Sequence, residues 1–168
     1  MTKNTIGKCK TSNKAVLAWV DEMAKLCKPD HVYWCNGSKA ERKALLAEAV
    51  EQGLLIKLNQ KKLPGCYYHR SNPNDVARVE QSTFICTESQ EEAGPTNNWM
   101  APKEMYQKLR GYAAGSMRGR TMYAIPYLMG PPGSPLAKVG IELTDSIYVV
   151  LSMGTMTRMG EVALEQLG

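Results

Sequence analysis

Arg78 stands out for its surroundings. It sits between Ala77 and Val79 in a short run, Val76 to Glu80, that reads as a strand. A planar guanidinium among apolar neighbours can grip a carboxylate through two parallel hydrogen bonds. The same side chain could equally point outward and pair with Asp75 or Glu80, and the residue types alone leave both roles open. Arg118 and Arg120 bracket Gly119 and can either meet anions or serve as loop-surface charges. Ser134 lies in a Gly-Ser-Pro sequence with nothing that marks a paired base to activate it. Asp145 follows Thr144 where a strand should end, and reads as a turn or capping residue before a catalytic one.

Other chemistries are excluded by their missing patterns. Neither Gly-x-x-x-x-Gly-Lys-Ser/Thr nor Gly-x-Gly-x-x-Gly occurs, so neither kind of phosphate loop is present. Gly111, Gly115 and Gly119, spaced by four, form a loop or close-packing pattern. The five cysteines, Cys9, Cys27, Cys35, Cys66 and Cys86, include no Cys-x-x-Cys pair, and His31 and His69 stand far apart. No zinc spacing arises from them, and free buried thiols in a reducing cytoplasm are expected.

These residues need elements to hold them. Val16, Trp19, Val20, Met23 and Leu26 repeat at helical spacing, so a helix capped by Thr11 or Ser12 is expected to run to about Lys28, with Pro29 ending it. His31 to Cys35 reads as a strand and Asn36-Gly37 as a turn. Ser38 and Glu41 have capping-box spacing, opening a helix to Gln52 with Gly53 after it; Leu45, Leu46, Ala49 and Val50 form its core face. Leu54 to Leu58 is a strand candidate, and Val76 to Glu80 and Thr83 to Cys86 read as two tightly joined strands. Glu88 to Asn98 reads as a loop, and Pro102 as the first residue of a short helix reaching Leu109. Further strands are expected at Thr121–Ile125, Val139–Leu143 and Tyr148–Leu151, with a last helix from about Thr155 to the end. The mixture predicts an α/β (α+β) domain with a mixed β-sheet flanked by helices.

The chain has 168 residues and a net charge of +5, a single-domain length that needs no metal or disulfide staple to fold. Residues 1–70 carry thirteen basic and six acidic side chains. The lysines are scattered rather than interleaved with aromatics, so a solvated surface is expected and no nucleic-acid partner. No apolar run approaches a membrane span and residues 1–14 lack the apolar core of a signal peptide. No membrane partner and a cytoplasmic location are expected.

From Arg118 onward the sequence becomes distinctive. Arg118-Gly119-Arg120-Thr121-Met122-Tyr123 leads into Ile125 to Pro131, then Gly133 to Leu136, Leu143 to Ser146 and Met156 to Gly160. Together with Leu26 to Asp30, Trp34 to Ser38, Ala77 to Glu80 and Gly94 to Trp99, this resembles the first domain of the GTP-dependent phosphoenolpyruvate carboxykinase family. The similarity spans about Val16 to Gly168. Asn36 stands where that family usually has an aspartate, Leu128 replaces a common serine, and Gly154-Thr155 replaces a more usual Arg-Ile.

The resemblance implies a function. The family interconverts oxaloacetate plus GTP with phosphoenolpyruvate, GDP and carbon dioxide in gluconeogenesis, using manganese or magnesium. Arg78 becomes, by resemblance, the arginine that holds the substrate carboxylate. The family's metal ligands, phosphate loop and nucleotide pocket lie further along its sequence, so no cofactor is expected within residues 1–168. The whole stretch is then expected to be the N-terminal, substrate-side domain, inactive alone, whose partner is a C-terminal kinase-like nucleotide and metal domain. Its methionine- and glycine-rich second half is expected to leave apolar surface open to self-association. The competing reading is a free-standing, non-catalytic binding or regulatory protein that kept the domain's fold.

Overall fold

The computed structural model describes residues 5–6, 11–75 and 79–167. Contacts divide the chain into two compact units, residues 1–70 with 115–168, and residues 71–114. The first unit begins with β1 (Thr5–Ile6), α1 (Lys14–Cys27), β2 (His31–Trp34), α2 (Lys39–Glu51), β3 (Ile56–Lys57) and β4 (Tyr67–Tyr68). The second holds β5 (Phe84–Ile85), β6 (Asn98–Trp99) and α3 (Pro102–Ala113). The chain returns to the first through β7 (Thr121–Met129), β8 (Lys138–Thr144), α4 (Ile147–Met156), β9 (Arg158–Met159) and α5 (Glu161–Leu167).

The main sheet is mixed, as expected. β1 pairs parallel with β2 and β2 parallel with β7, His31 opposite Thr121. β8 lies antiparallel along one edge of β7 from Tyr123–Thr144 to Met129–Lys138. β9 joins the other edge antiparallel, Tyr127 opposite Met159. β2 and β9 therefore lie end to end along the same side of β7.

Helices cover this sheet because their apolar spacing matches it. Leu45 and Ala49 of α2 meet Ile147, Val150 and Leu151 of α4 over Tyr123 and Ile125, in one buried cluster with Cys35 and Leu55. Each such fully buried aliphatic side chain contributes roughly 1.5–3 kcal/mol. On the other face, Val32, Trp34, Met122, Ala124 and Leu128 are buried, and α5 packs against β7 and β8.

Local chemistry sets the helix ends. Asn13, rather than Thr11 or Ser12, caps α1, its Oδ1 accepting from the N–H groups of Ala15 and Val16. Lys28 closes the helix in a left-handed conformation at φ 56°, and Pro29 cannot extend it. The last carbonyls of α1, Leu26 and Cys27, accept from the N–H groups of Gly115 and Met117. That contact ties the returning chain to the helix end.

Several expected elements differ. Tyr148–Leu151 is not a strand but part of α4, because a buried apolar run carries no strand periodicity and Ile147, Val150 and Leu151 fall on one helical face. The expected final helix from Thr155 is interrupted: α4 ends at Met156, β9 follows, and α5 starts at Glu161. Of the two strands expected at Val76–Glu80 and Thr83–Cys86, residues 76–78 of the first lie outside the described residues, and the second forms at Phe84–Ile85. Glu80–Ser82 is a 3-10 turn, and β5 pairs parallel with β6, Phe84 opposite Asn98. The short helix after Pro102 continues through Gly111 to Ala113. β3 falls within the strand expected at Leu54–Leu58 and pairs antiparallel with β4.

Two glycines are dictated by one close crossing. A Cβ on Gly37 would lie 2.4 Å from the Met159 carbonyl oxygen, and one on Gly160 would lie 1.9 Å from that of Asn36. Both have positive φ, +70° and +82°. Gly53 has a similar φ of +71° with open space around it, which separates the two costs. Gly53→Ala is expected to cost about 1–2 kcal/mol from backbone strain alone. Gly160→Ala adds steric overlap and should cost at least about 3 kcal/mol or abolish folding. Urea midpoints of the two variants check this; equal losses would refute the crossing.

Candidate functional site

Arg78, with Val76 and Ala77, lies outside the described residues. The chain that follows it is held by the second unit's own polar groups. Thr83 Oγ1 donates to the Val79 carbonyl at 2.8 Å. The Asn98 amide donates to the carbonyls of Glu80 at 2.7 Å and Thr83 at 3.2 Å. Trp99 Nε1 donates to the Thr87 carbonyl at 3.0 Å, and Lys108 Nζ stands 5.7 Å over the Phe84 ring. Gly94 to Trp99 thus braces the segment immediately after Arg78. Gly94 turns the chain at φ +80°, and Asn97 ties back to the Ala93 carbonyl at 2.7 Å.

The other sequence candidates have structural partners. Arg120 Nη1 pairs with Asp145 Oδ2 at 2.6 Å, and its Nη2 donates to the Ser116 carbonyl. Asp145 is therefore an ion-pair partner at the corner between β8 and α4 as well as a turn residue. Arg118 folds its guanidinium over Gly115, whose missing side chain leaves the space. Ser134 is a turn residue, its Oγ accepting from the Leu136 N–H at 3.2 Å. Cys27 and Cys35 are free and buried as expected, whereas Cys66 and Cys86 are free but exposed; Cys9 lies outside the described residues. Burial, then the charge of Glu41, pushes the Cys35 thiol far up, which leaves it inert as a nucleophile. Among the described residues, no three of His, Cys, Asp and Glu converge to hold a metal ion, and no helix is long and apolar enough to cross a membrane.

Glu41 is a site residue that sequence spacing identified with the wrong target. It is 7% exposed, the one buried charged side chain among the described residues. Ser38 Oγ accepts from the Glu41 N–H at 3.1 Å, as a capping box requires. The carboxylate, however, bypasses Ser38, whose N–H is taken by Asn36 Oδ1 at 2.8 Å. It accepts instead from the N–H groups of Asn36 at 2.9 Å and Gly37 at 2.8 Å, and from the Tyr33 hydroxyl at 3.1 Å. Burial, then the Glu41 charge, pushes the Tyr33 phenol up to about 12. Tyr33 packs edge-on against Tyr123, ring centroids 5.7 Å apart.

Two distinctive sequence segments, Trp34 to Ser38 and Met156 to Gly160, thus meet at one junction: the turn held by Glu41 crosses the chain between β9 and α5. The Gly160 N–H completes it by donating to the Pro126 carbonyl of β7 at 2.9 Å.

An α/β unit whose distinctive motifs meet in this way matches a known domain class. The family model for the phosphoenolpyruvate carboxykinase N-terminal domain covers residues 18–168. The chain belongs to that family. Proteins named phosphoenolpyruvate carboxykinase (GTP) are similar to it at high identity. That of Anaeromyxobacter dehalogenans strain 2CP-C is 66% identical over 158 residues, 94% of this chain and 26% of the relative. That of Neocallimastix frontalis is 53% identical over 156 residues, 93% of this chain and 26% of the relative. That of Corynebacterium jeikeium is 48% identical over 166 residues, 99% and 27% respectively. The chain spans about a quarter of the length of these relatives.

Replacing Glu41 by glutamine puts an amide NH₂ against backbone donors. Glu41→Gln is expected to cost about 2–3 kcal/mol, the range for losing a charged hydrogen-bond acceptor. The Tyr33 phenol should then titrate below about 12 yet above its ordinary 10.0, because burial, the larger cause, remains. Denaturant midpoints and phenolate absorbance measure the two effects. An unchanged midpoint would show that the carboxylate does not hold the turn.

Proposed function

We propose that this chain supplies the N-terminal, substrate-side part of a GTP-dependent phosphoenolpyruvate carboxykinase, which converts oxaloacetate and GTP to phosphoenolpyruvate, GDP and carbon dioxide. The observation that carries this reading is the family match over residues 18–168, joined to relatives of that name at up to 66% identity. Arg78 is the residue assigned to the substrate. Its guanidinium grips the carboxylate that stays on the carbon skeleton while the other leaves as carbon dioxide. The electron pair left behind forms an enolate, which attacks the γ-phosphoryl group of GTP. A fixed cation against the retained carboxylate holds the enolate oxygen in line for that attack.

Nucleotide and metal belong to the remainder of such an enzyme. The sequence has no phosphate loop, and manganese or magnesium finds no three-residue donor set among the described residues. Met129, Leu136 and Met156 are 55%, 84% and 67% exposed, which supports apolar contact with that remainder. The free thiols among the described residues, Cys27, Cys35, Cys66 and Cys86, fit a reducing cytoplasm.

A chimera tests the assignment. The corresponding stretch of the Anaeromyxobacter dehalogenans enzyme is replaced by this sequence and assayed with oxaloacetate, GTP and manganese. The chimera should turn over, and Arg78→Ala within it should lower kcat/KM by at least about tenfold, mainly through KM, as loss of a charged contact implies. The 168-residue chain alone should show no steady-state turnover. A folded chimera with unchanged kinetics on Arg78→Ala would remove Arg78 from the site, and turnover by the chain alone would overturn the claim that its site is incomplete.

A further inference from the structure

A cleft of about 420 Å³ opens in the first unit where α2, the start of β7 and the β8–α4 corner meet. Glu48 and Gln52 form one wall, Arg120 and Thr121 another, and Asp145 with Ser146 a third. Tyr123 closes the base and is only 6% exposed. None of the described residues hydrogen-bonds to its hydroxyl. No side-chain oxygen among them is at once sealed from solvent and unpartnered, so the Tyr123 oxygen must open into the cleft. Tyr33, its neighbour in the same layer, differs because Glu41 satisfies its hydroxyl. The ring is more than nine-tenths buried while the hydroxyl faces the open cleft, which places a fixed polar group at its base.

The donor and acceptor inventory defines that partner. The cleft's one cation is already committed, Nη1 of Arg120 to Asp145 and Nη2 to the Ser116 carbonyl. Among the described residues, Glu48 accepts from a neutral donor, the Gln52 amide, at 3.0 Å. The remaining carboxylate capacity of Glu48 and Asp145, the Gln52 carbonyl and the hydroxyls of Thr121, Ser146 and Tyr123 make an acceptor-rich lining of net negative charge. A primary ammonium group supplies three donors, one positive charge and no acceptor. The volume matches a small organic molecule and exceeds what a single ion needs.

We propose that this cleft binds a small primary ammonium compound, whose N–H groups are received by the Tyr123 hydroxyl oxygen and the Glu48 carboxylate. Burial, then the charge of Glu48, pushes the Tyr123 phenol up to about 12. The hydroxyl therefore stays protonated near neutral pH, and its oxygen accepts from the ligand.

Putrescine is the probe, titrated into the 168-residue chain by calorimetry and by amide chemical shifts, with the butanediol of equal length as control. Saturable binding of the diamine in the millimolar range is expected, with shifts at Thr121, Tyr123 and Ser146 and none from the diol. Glu48→Gln should weaken it about tenfold, the loss of one charged hydrogen bond, and Tyr123→Phe should weaken it less. Circular dichroism confirms that both near-isosteric variants are folded. Absence of saturable binding, equal binding of the diol, or undiminished binding in folded Glu48→Gln would each overturn the proposal.

Discussion

The first unit depends on a single backbone crossing. Asn36-Gly37, leaving β2, passes over Met159-Gly160 with no room for a Cβ on either glycine. Both strands that flank the crossing pair with the same edge of β7, so the sheet closes only if the two chain segments touch. Glu41 makes that contact stable. A buried carboxylate is costly unless its oxygens are satisfied, and here two backbone N–H groups and a phenol satisfy them. The charge that would otherwise destabilise the core becomes the clamp on the turn.

Where local chemistry decides, the sequence is a good guide. The capping spacing of Ser38 and Glu41 and the face of Leu45, Leu46, Ala49 and Val50 locate α2 closely. β7 and β8 follow their apolar runs, although β7 continues through Pro126 to Met129. Where distant partners decide, it is not. β3 with β4 and β5 with β6 are two-residue pairings, too short to carry a period. α4 reads as a strand because Tyr148 to Leu151 is apolar throughout and only its packing on α2 selects the helix. The target of Glu41, the partner of Arg120 and the free hydroxyl of Tyr123 are all set by tertiary neighbours. Arg78, singled out by its apolar flanks and the family resemblance, lies outside the described residues.

The departures from the family pattern have physical explanations at two of three places. Asn36 uses its side-chain oxygen to accept from the Ser38 N–H, which an aspartate oxygen does equally well. Gly154 and Thr155 make room for Arg42. Its Nη1 lies 3.3 Å from where a Gly154 Cβ would stand and donates to the Leu151 carbonyl at 2.8 Å, while Nη2 reaches the Thr155 hydroxyl at 3.4 Å. A guanidinium from α2 thereby binds the Leu151 carbonyl midway along α4 and a hydroxyl one turn further on. Nothing in the structure explains Leu128 beyond its complete burial in β7.

The shared edge of β7 also sets an order of events during synthesis. β1 precedes β2, but the longer partner of β2 begins only at Thr121, and the turn after it is locked only by residues near Gly160. At a ribosomal pace of about 5–20 residues per second, β2 waits several seconds for β7. The amphipathic α1 and α2 form meanwhile without a sheet to cover. Such long sequence separation slows folding and leaves apolar faces open to other chains. Helix caps at Asn13 and Ser38 hold those two helices in local register until the rest arrives.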